Sequence, residues 1–194
     1  MGFMDKAIKA AAQAKNQIDD VREARAQNAV QPVNHGPLPD HERQVLERAQ
    51  ALGALNPFAL LTSAEASAAV GQELGDAALS YGDDTIGVMY EARGRGNDHW
   101  RVSVDVYHAT EPGVPFEAEY FLREMVLDNA PDDERVPVEG VGHQAYLVSD
   151  YLWVLYGPIL FYVNGITPDG PLPVDAAARV ARQVVARLEQ LDQG

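Results

Sequence analysis

The chain has no cysteine, few bases for its acids, and no long apolar run. Without cysteine there are no disulfides and no thiolate chemistry, and the commonest ligand of structural zinc is missing. Lysine and arginine number 15 against 29 aspartates and glutamates, a formal net charge of −14. Nucleic-acid binding needs a basic face that displaces counterions from phosphate, so this balance has the wrong sign. No stretch reaches the roughly 18 apolar residues of a membrane-spanning helix. The longest apolar block, 151–166, is interrupted by Gly157, Pro158 and Asn164, which read as a turn. The opening Met1-Gly2-Phe3-Met4-Asp5-Lys6 has neither the basic-then-apolar order nor the small-residue cleavage site of a secretory signal. A cytoplasmic location is expected, with peripheral contact to a membrane or assembly surface left open.

What is present is the composition of a folded domain: 46% hydrophobic and 23% charged residues over 194 positions. Residues 1–28 stand apart from the rest. Five bases (Lys6, Lys9, Lys15, Arg22, Arg25) and four acids (Asp5, Asp19, Asp20, Glu23) give this segment a net of +1, which leaves −15 for the remainder. It is rich in Ala, Lys, Gln and Arg, all strong helix formers. Met4, Ala11 and Ile18 fall seven apart, with Ala7, Ala14 and Val21 three after each. That is an amphipathic stripe of about three heptads, half of it alanine, suited to close packing against another helix. Between 29 and 39, Pro32, Pro37, Pro39 and Gly36 mark a stiff, extended linker. Residues 40–194 form the remaining domain.

Within that domain, Asp40 is expected to cap a helix running to about Leu52. Thr62 with Glu65 three residues later predicts a capping box and a short helix to Val70, stopped by Gly71. Strand-like runs follow at 77–81, 85–92 and 100–109. The last alternates, with Val102, Val104, Val106 and His108 on one face and Arg101, Ser103, Asp105 and Tyr107 on the other. Arg93 to Asp98 reads as a hairpin loop. Helical spacing over 116–127 places Phe116, Tyr120, Phe121 and Met125 on one broad face. Strands are expected at 144–148, 152–155 and 159–164, then a long amphipathic helix carrying Val174, Ala177, Ala181, Val184, Leu188 and Leu191. Strands and helices do not alternate one for one. The predicted class is therefore α+β, an antiparallel sheet with helices packed on one face.

Several segments resemble a known group. Leu60-Leu61-Thr62-Ser63-Ala64-Glu65 with Ala68-Ala69-Val70-Gly71, then 138–146 around Gly140, Gly142 and His143, and the final hairpin and helix resemble actinobacterial lipoprotein-type domains of unknown function. The likeness spans about residues 58–191. It implies an α+β sandwich with binding or sensing as its role, and it supplies no catalytic residues. Two departures stand out. The lipoprotein signal and its lipid-bearing cysteine are missing, and His143 stands where that family usually has an acid. An amphipathic helix occupies the place of the anchor.

The histidines, His35, His41, His99, His108 and His143, show no metal-ligand spacing, so no metal and no cofactor is expected. Asp105 and His108 have odd separation on a strand and should point to opposite faces, against a catalytic dyad. Gly94-Arg95-Gly96 sits between strands and reads as a turn rather than an anion nest. The acids Asp83-Asp84 and Asp132-Asp133-Glu134 lack the alternating spacing of a calcium loop. Among the aromatics, Trp153 and Phe161 read as core, while Tyr151, Tyr156 and Tyr162 are candidates for a ligand groove. The expected function is a non-enzymatic binding or adaptor protein. Its N-terminal helix, through Phe3, Met4, Ile8, Ile18 and Val21, would meet a protein partner, a second copy or a membrane surface. The alternative is a small histidine-dependent hydrolase or isomerase using His108, Asp105 or His143.

Overall fold

The computed structural model describes residues 31–94 and 98–192. The candidate partner-binding residues Phe3, Met4, Ile8, Ile18 and Val21 lie outside them.

One antiparallel sheet organises the described chain. Its strands are β1 (Gln31–Pro32), β2 (Ala78–Tyr81), β3 (Thr85–Arg93), β4 (His99–Tyr107), β5 (Arg135–Pro137), β6 (Gln144–Val148), β7 (Tyr151–Tyr156), β8 (Ile159–Thr167) and β9 (Gly170–Pro171). The path runs β1-β3-β4-β8-β7-β6-β5, with β2 also on β3 and β9 on β8. Strands β5 to β8 form a meander that joins the β3–β4 hairpin through the β4–β8 pair. Among the described residues four helices accompany it: α1 (Asp40–Ala51), α2 (Ser63–Val70), α3 (Ala118–Tyr120, continuing as a π-helix over Phe121–Leu127) and α4 (Val174–Asp192). The fold is α+β, as the pattern of elements predicts.

Period-two alternation divides the sheet into two unlike faces. On one, Val88, Tyr90, Val102, Val104, Phe161, Val163, Leu152 and Val154 are all almost fully buried, and α2 and α4 pack over them. Each such side chain contributes about 1.5–3 kcal/mol of transfer free energy. Helix α4 approaches the sheet closely because its inward positions are small: Ala176, Ala177, Ala178 and Ala181 alternate with Val180, Val184 and Leu188. The capping box on α2 is present. Thr62 Oγ1 accepts from the Glu65 amide and Glu65 Oε2 accepts from the Thr62 amide at 2.8 Å, while Gly71 ends the helix at φ 69°. Arg187 on α4 adds a 3.0 Å ion pair to Glu65. Burial alone would raise the Glu65 pKa, but the bonds from Thr62 and Arg187 outweigh it and hold the carboxyl below its ordinary value.

Three details differ from expectation. Asp40 does not cap α1; Pro39, with ψ 155°, takes that position, and Asp40 is the first helical residue, paired to Arg43 at 2.9 Å. Proline's fixed φ suits it to end the extended linker just there. Strand β4 stops at Tyr107, so His108 leaves the ladder and donates its amide to the Asp84 carbonyl at 2.9 Å. In α3 the buried residues are Ala118, Leu122 and Val126, whereas Tyr120 and Met125 are each 55% exposed. The π-helical register widens the repeat beyond 3.6 residues, so every fourth residue faces inward. This segment packs against Val148, Leu155 and Leu160, on the sheet face opposite α2 and α4.

In the proline-rich stretch, Gln31 and Pro32 pair with Arg93 and Ala92 at the sheet edge. A buried carboxylate secures this end. Glu91 receives His99 Nε2 at 3.0 Å and Arg93 at 3.1 Å, with His35 at 3.9 Å.

Candidate ligand-binding site

The second sheet face carries polar and aromatic side chains, and the register decides which of them meet. Asp105 lies opposite Gly87 on one side and Tyr162 on the other. It is 3% exposed. The hydroxyls of Ser80 and Ser103 hydrogen-bond its carboxylate, and Arg101 supplies a nearby positive charge. Desolvation is the larger effect and raises the Asp105 pKa above its ordinary value. The one Ser103 hydrogen is shared with Asn164 Oδ1, which lies 2.5 Å from Oγ across the β4–β8 pair.

Toward the end of β4 the polar spine gives way to rings. Tyr107 is the hub: its centroid lies 5.3 Å from Phe116, 4.6 Å from Phe121, 5.9 Å from Trp153 and 6.1 Å from Tyr162. Tyr162 continues the cluster to Trp153 at 5.1 Å and to Tyr151 at 5.3 Å. Burial, reinforced by the negative charges of Asp84 and Asp105, pushes the Tyr107 hydroxyl up to about 12. The Tyr162 hydroxyl is also raised, by burial first and then by Asp105, Tyr107 and Tyr151. Both hydroxyls therefore stay protonated donors at neutral pH.

The structure thus brings two of the three candidate groove tyrosines together. Tyr151 and Tyr162 share this face with Trp153, which belongs with them rather than with the core beneath α4. Tyr156 does not join them. Its odd separation from Tyr151 sends it to the opposite face, where it packs against the helix-covered core and lies 5.2 Å from the His143 ring.

Where β4 ends, residues 109–117 form a strap with Pro112, Pro115 and Gly113 at φ 79°. Two clefts adjoin it. The larger, of about 510 Å³, is bounded by the end of α1 around Leu52, by Tyr107, and by Pro158 and Ile159. The smaller, of about 370 Å³, is bounded by Asp84, Glu117, Tyr120 and Phe121. Both are lined by His108, Ala109, Val114, Pro115 and Phe116. His108 is only 8% exposed, and its Nδ1 lies 2.7 Å from the Ala109 carbonyl. A carbonyl can only accept, so Nδ1 bears the hydrogen, and in the tautomer this bond selects Nε2 is the ring's acceptor.

The residues of the catalytic alternative are dispersed. Asp105 faces the aromatic side of the sheet, and His108 sits beyond the strand end against its neighbour's carbonyl. His143 is exposed, with Nδ1 accepting from the Gly157 amide at 3.0 Å. The sequence pattern does not mark Tyr107, Phe116 and Phe121 as a site, and it marks His108 only for the catalytic alternative. The available signal was the rigid Pro112–Pro115 stretch between two aromatic segments, with a histidine at its start.

No protein-family model matches the chain, and neither does any curated protein or solved structure. Among the described residues, no helix is long and apolar enough to cross a membrane.

Proposed function

We propose that this protein is a non-catalytic binding module whose ligand occupies the clefts beside the 109–117 strap, with residues 1–28 serving as its tether. The observation that carries the reading is the sharing of His108, Ala109, Val114, Pro115 and Phe116 between two clefts backed by a packed aromatic cluster. Rings held on one another cost little ordering entropy when a ligand arrives. The clefts are of the size that accepts a small molecule or a few side chains. A general acid–base role for His108 would need a nucleophile hydrogen-bonded to Nε2, and among the described residues the ring's one hydrogen bond is from Nδ1 to the Ala109 carbonyl.

The tether completes the module. The charge difference between residues 1–28 and the remainder, and the alanine-rich stripe, suit docking to a helix of a partner or of a second copy. Alanine contributes about 0.8 kcal/mol per buried methyl group. Such a stripe favours close protein packing over strong membrane insertion. The resemblance of residues 58–191 to lipoprotein-type binding or sensor domains is in keeping with this division of labour. A pull-down from the native cell with the full chain and with residues 1–28 removed tests the tether, alongside flotation on anionic vesicles. Loss of the captured partner on truncation is the expected result. Unchanged capture and assembly state would refute the tether.

A further inference from the structure

Building on the reading that the strap clefts bind a ligand, we infer that they receive a lysine- or arginine-bearing apolar segment of a partner protein. Charge comes first. Glu111 lines the larger cleft, and Asp84 and Glu117 line the smaller; among the described residues no arginine lines either. Glu119 extends the acidic rim along an adjoining depression. The cation there, Arg123, is held by Glu124 at 2.8 Å. Phosphates and other anions would meet uncompensated repulsion at this rim, whereas an ammonium or guanidinium would find carboxylates at both clefts.

The second observation is His108. It is more than nine-tenths buried and lines both clefts, and its Nδ1 hydrogen is given to Ala109. Among the described residues Nε2 has no hydrogen-bond partner, so the ring presents an unused acceptor to an incoming N–H donor. The third is apolar surface. Val114 and Tyr120 are each 55% exposed beside the half-buried Phe116. A ligand that fills both clefts must meet their shared residues, the exposed Val114 among them, and a polypeptide can do so with one side chain in each cleft. The required partner is therefore a short chain with basic residues set among apolar ones.

The test uses the full chain and fluorescein-labelled nine-residue peptides of leucine, proline and alanine that carry two arginines, two lysines, two glutamines or two glutamates. The basic peptides should bind in fluorescence anisotropy, about tenfold or more tighter than the glutamine peptide, with the glutamate peptide not binding. The double variant D84N/E117Q should weaken the basic peptides about tenfold, and E189Q on exposed α4 should leave them unchanged. His108→Phe should weaken them too, and circular dichroism checks that each variant keeps its fold. Equal binding of the glutamine peptide, or no effect of the carboxamide variants, would overturn the basic class of ligand while leaving the clefts as a binding site. Binding seen only after removal of residues 1–28 would make that segment the occupant and overturn a partner as ligand. No binding by any peptide overturns the inference. The underlying reading falls separately, if neutral aromatic fragments titrated into the full chain also leave the resonances of residues 106–117 unmoved.

Discussion

Asp105 on β4 lies so directly over Gly87 on β3 that a Cβ at position 87 would collide with its carboxylate oxygen and with the Val104 carbonyl. The missing side chain is what lets a nearly inaccessible acid fit between Ser80, Ser103 and Tyr162. Gly87→Ala should therefore destabilise the fold by about 1–3 kcal/mol, the usual cost of overpacking. Urea unfolding of the full chain measures it. Adding Asp105→Ala should recover only part of the loss, because the clash with the Val104 backbone remains.

The same acid makes stability depend on pH. Its folded pKa lies above the unfolded value, so the folded state holds the proton more tightly. The charged form is the penalised one, and stability falls as pH rises from the unfolded pKa, near 4, through the folded one. Asp105→Asn removes this dependence. Its stability relative to the parent should improve as pH rises above about 4 and level off above the folded pKa. A flat difference across urea melts from pH 3.5 to 8 would contradict the assignment.

The α2 cap has the opposite sign. Glu65 is held below its ordinary pKa, so its contribution is fully present above the unfolded value and is lost as pH falls through the folded one. Thr62→Ala should cost about 1 kcal/mol at neutral pH. Glu65→Gln should flatten the acid limb of the stability profile.

Two tyrosines separate the two sheet faces experimentally. Tyr162→Ala removes a ring that braces Tyr107 and Trp153, and ligand binding should weaken about fivefold or more. Tyr156→Ala, on the opposite face, should leave ligand affinity unchanged. Equal effects of the two substitutions in the same binding assay would disconnect the aromatic cluster from the clefts.

The elements readable from sequence were those whose signals are local. Thr62, Glu65 and Gly71 mark both ends of α2 without reference to anything distant. The 3.6-residue repeat of α4 and the strict alternation of β4 likewise stand alone. Elements defined by a partner were not readable. Gln31–Pro32 and Arg135–Pro137 are strands because β3 and β6 lie beside them, and proline-bearing sequences give no hint of it. The π-helical turn hid the inward row Ala118, Leu122 and Val126 behind an apparent Tyr120–Met125 face.

The site divided in the same way. Tyr151 and Tyr162 were recognisable as aromatics near a turn, but the exclusion of Tyr156 depends on strand parity across 151–156. His108 looked like the last residue of an alternating strand. Its role emerges from the strap, which begins where the ladder ends and lines the same two clefts as His108. The burial of Asp105 on the polar face was hidden for a related reason. Gly87 lies eighteen positions earlier in the chain, and only the β3–β4 register brings the two together.

The central claim is that ligand meets this protein at the strap. Site-specific photocrosslinking in the native cell tests it most directly, with p-benzoylphenylalanine placed at Val114, exposed at the strap tip, or at Leu191, exposed on α4. The account predicts a discrete adduct from position 114 that disappears in the Phe116→Ala background, and none from position 191. Adducts that form equally at both positions, or that survive loss of Phe116, would contradict it.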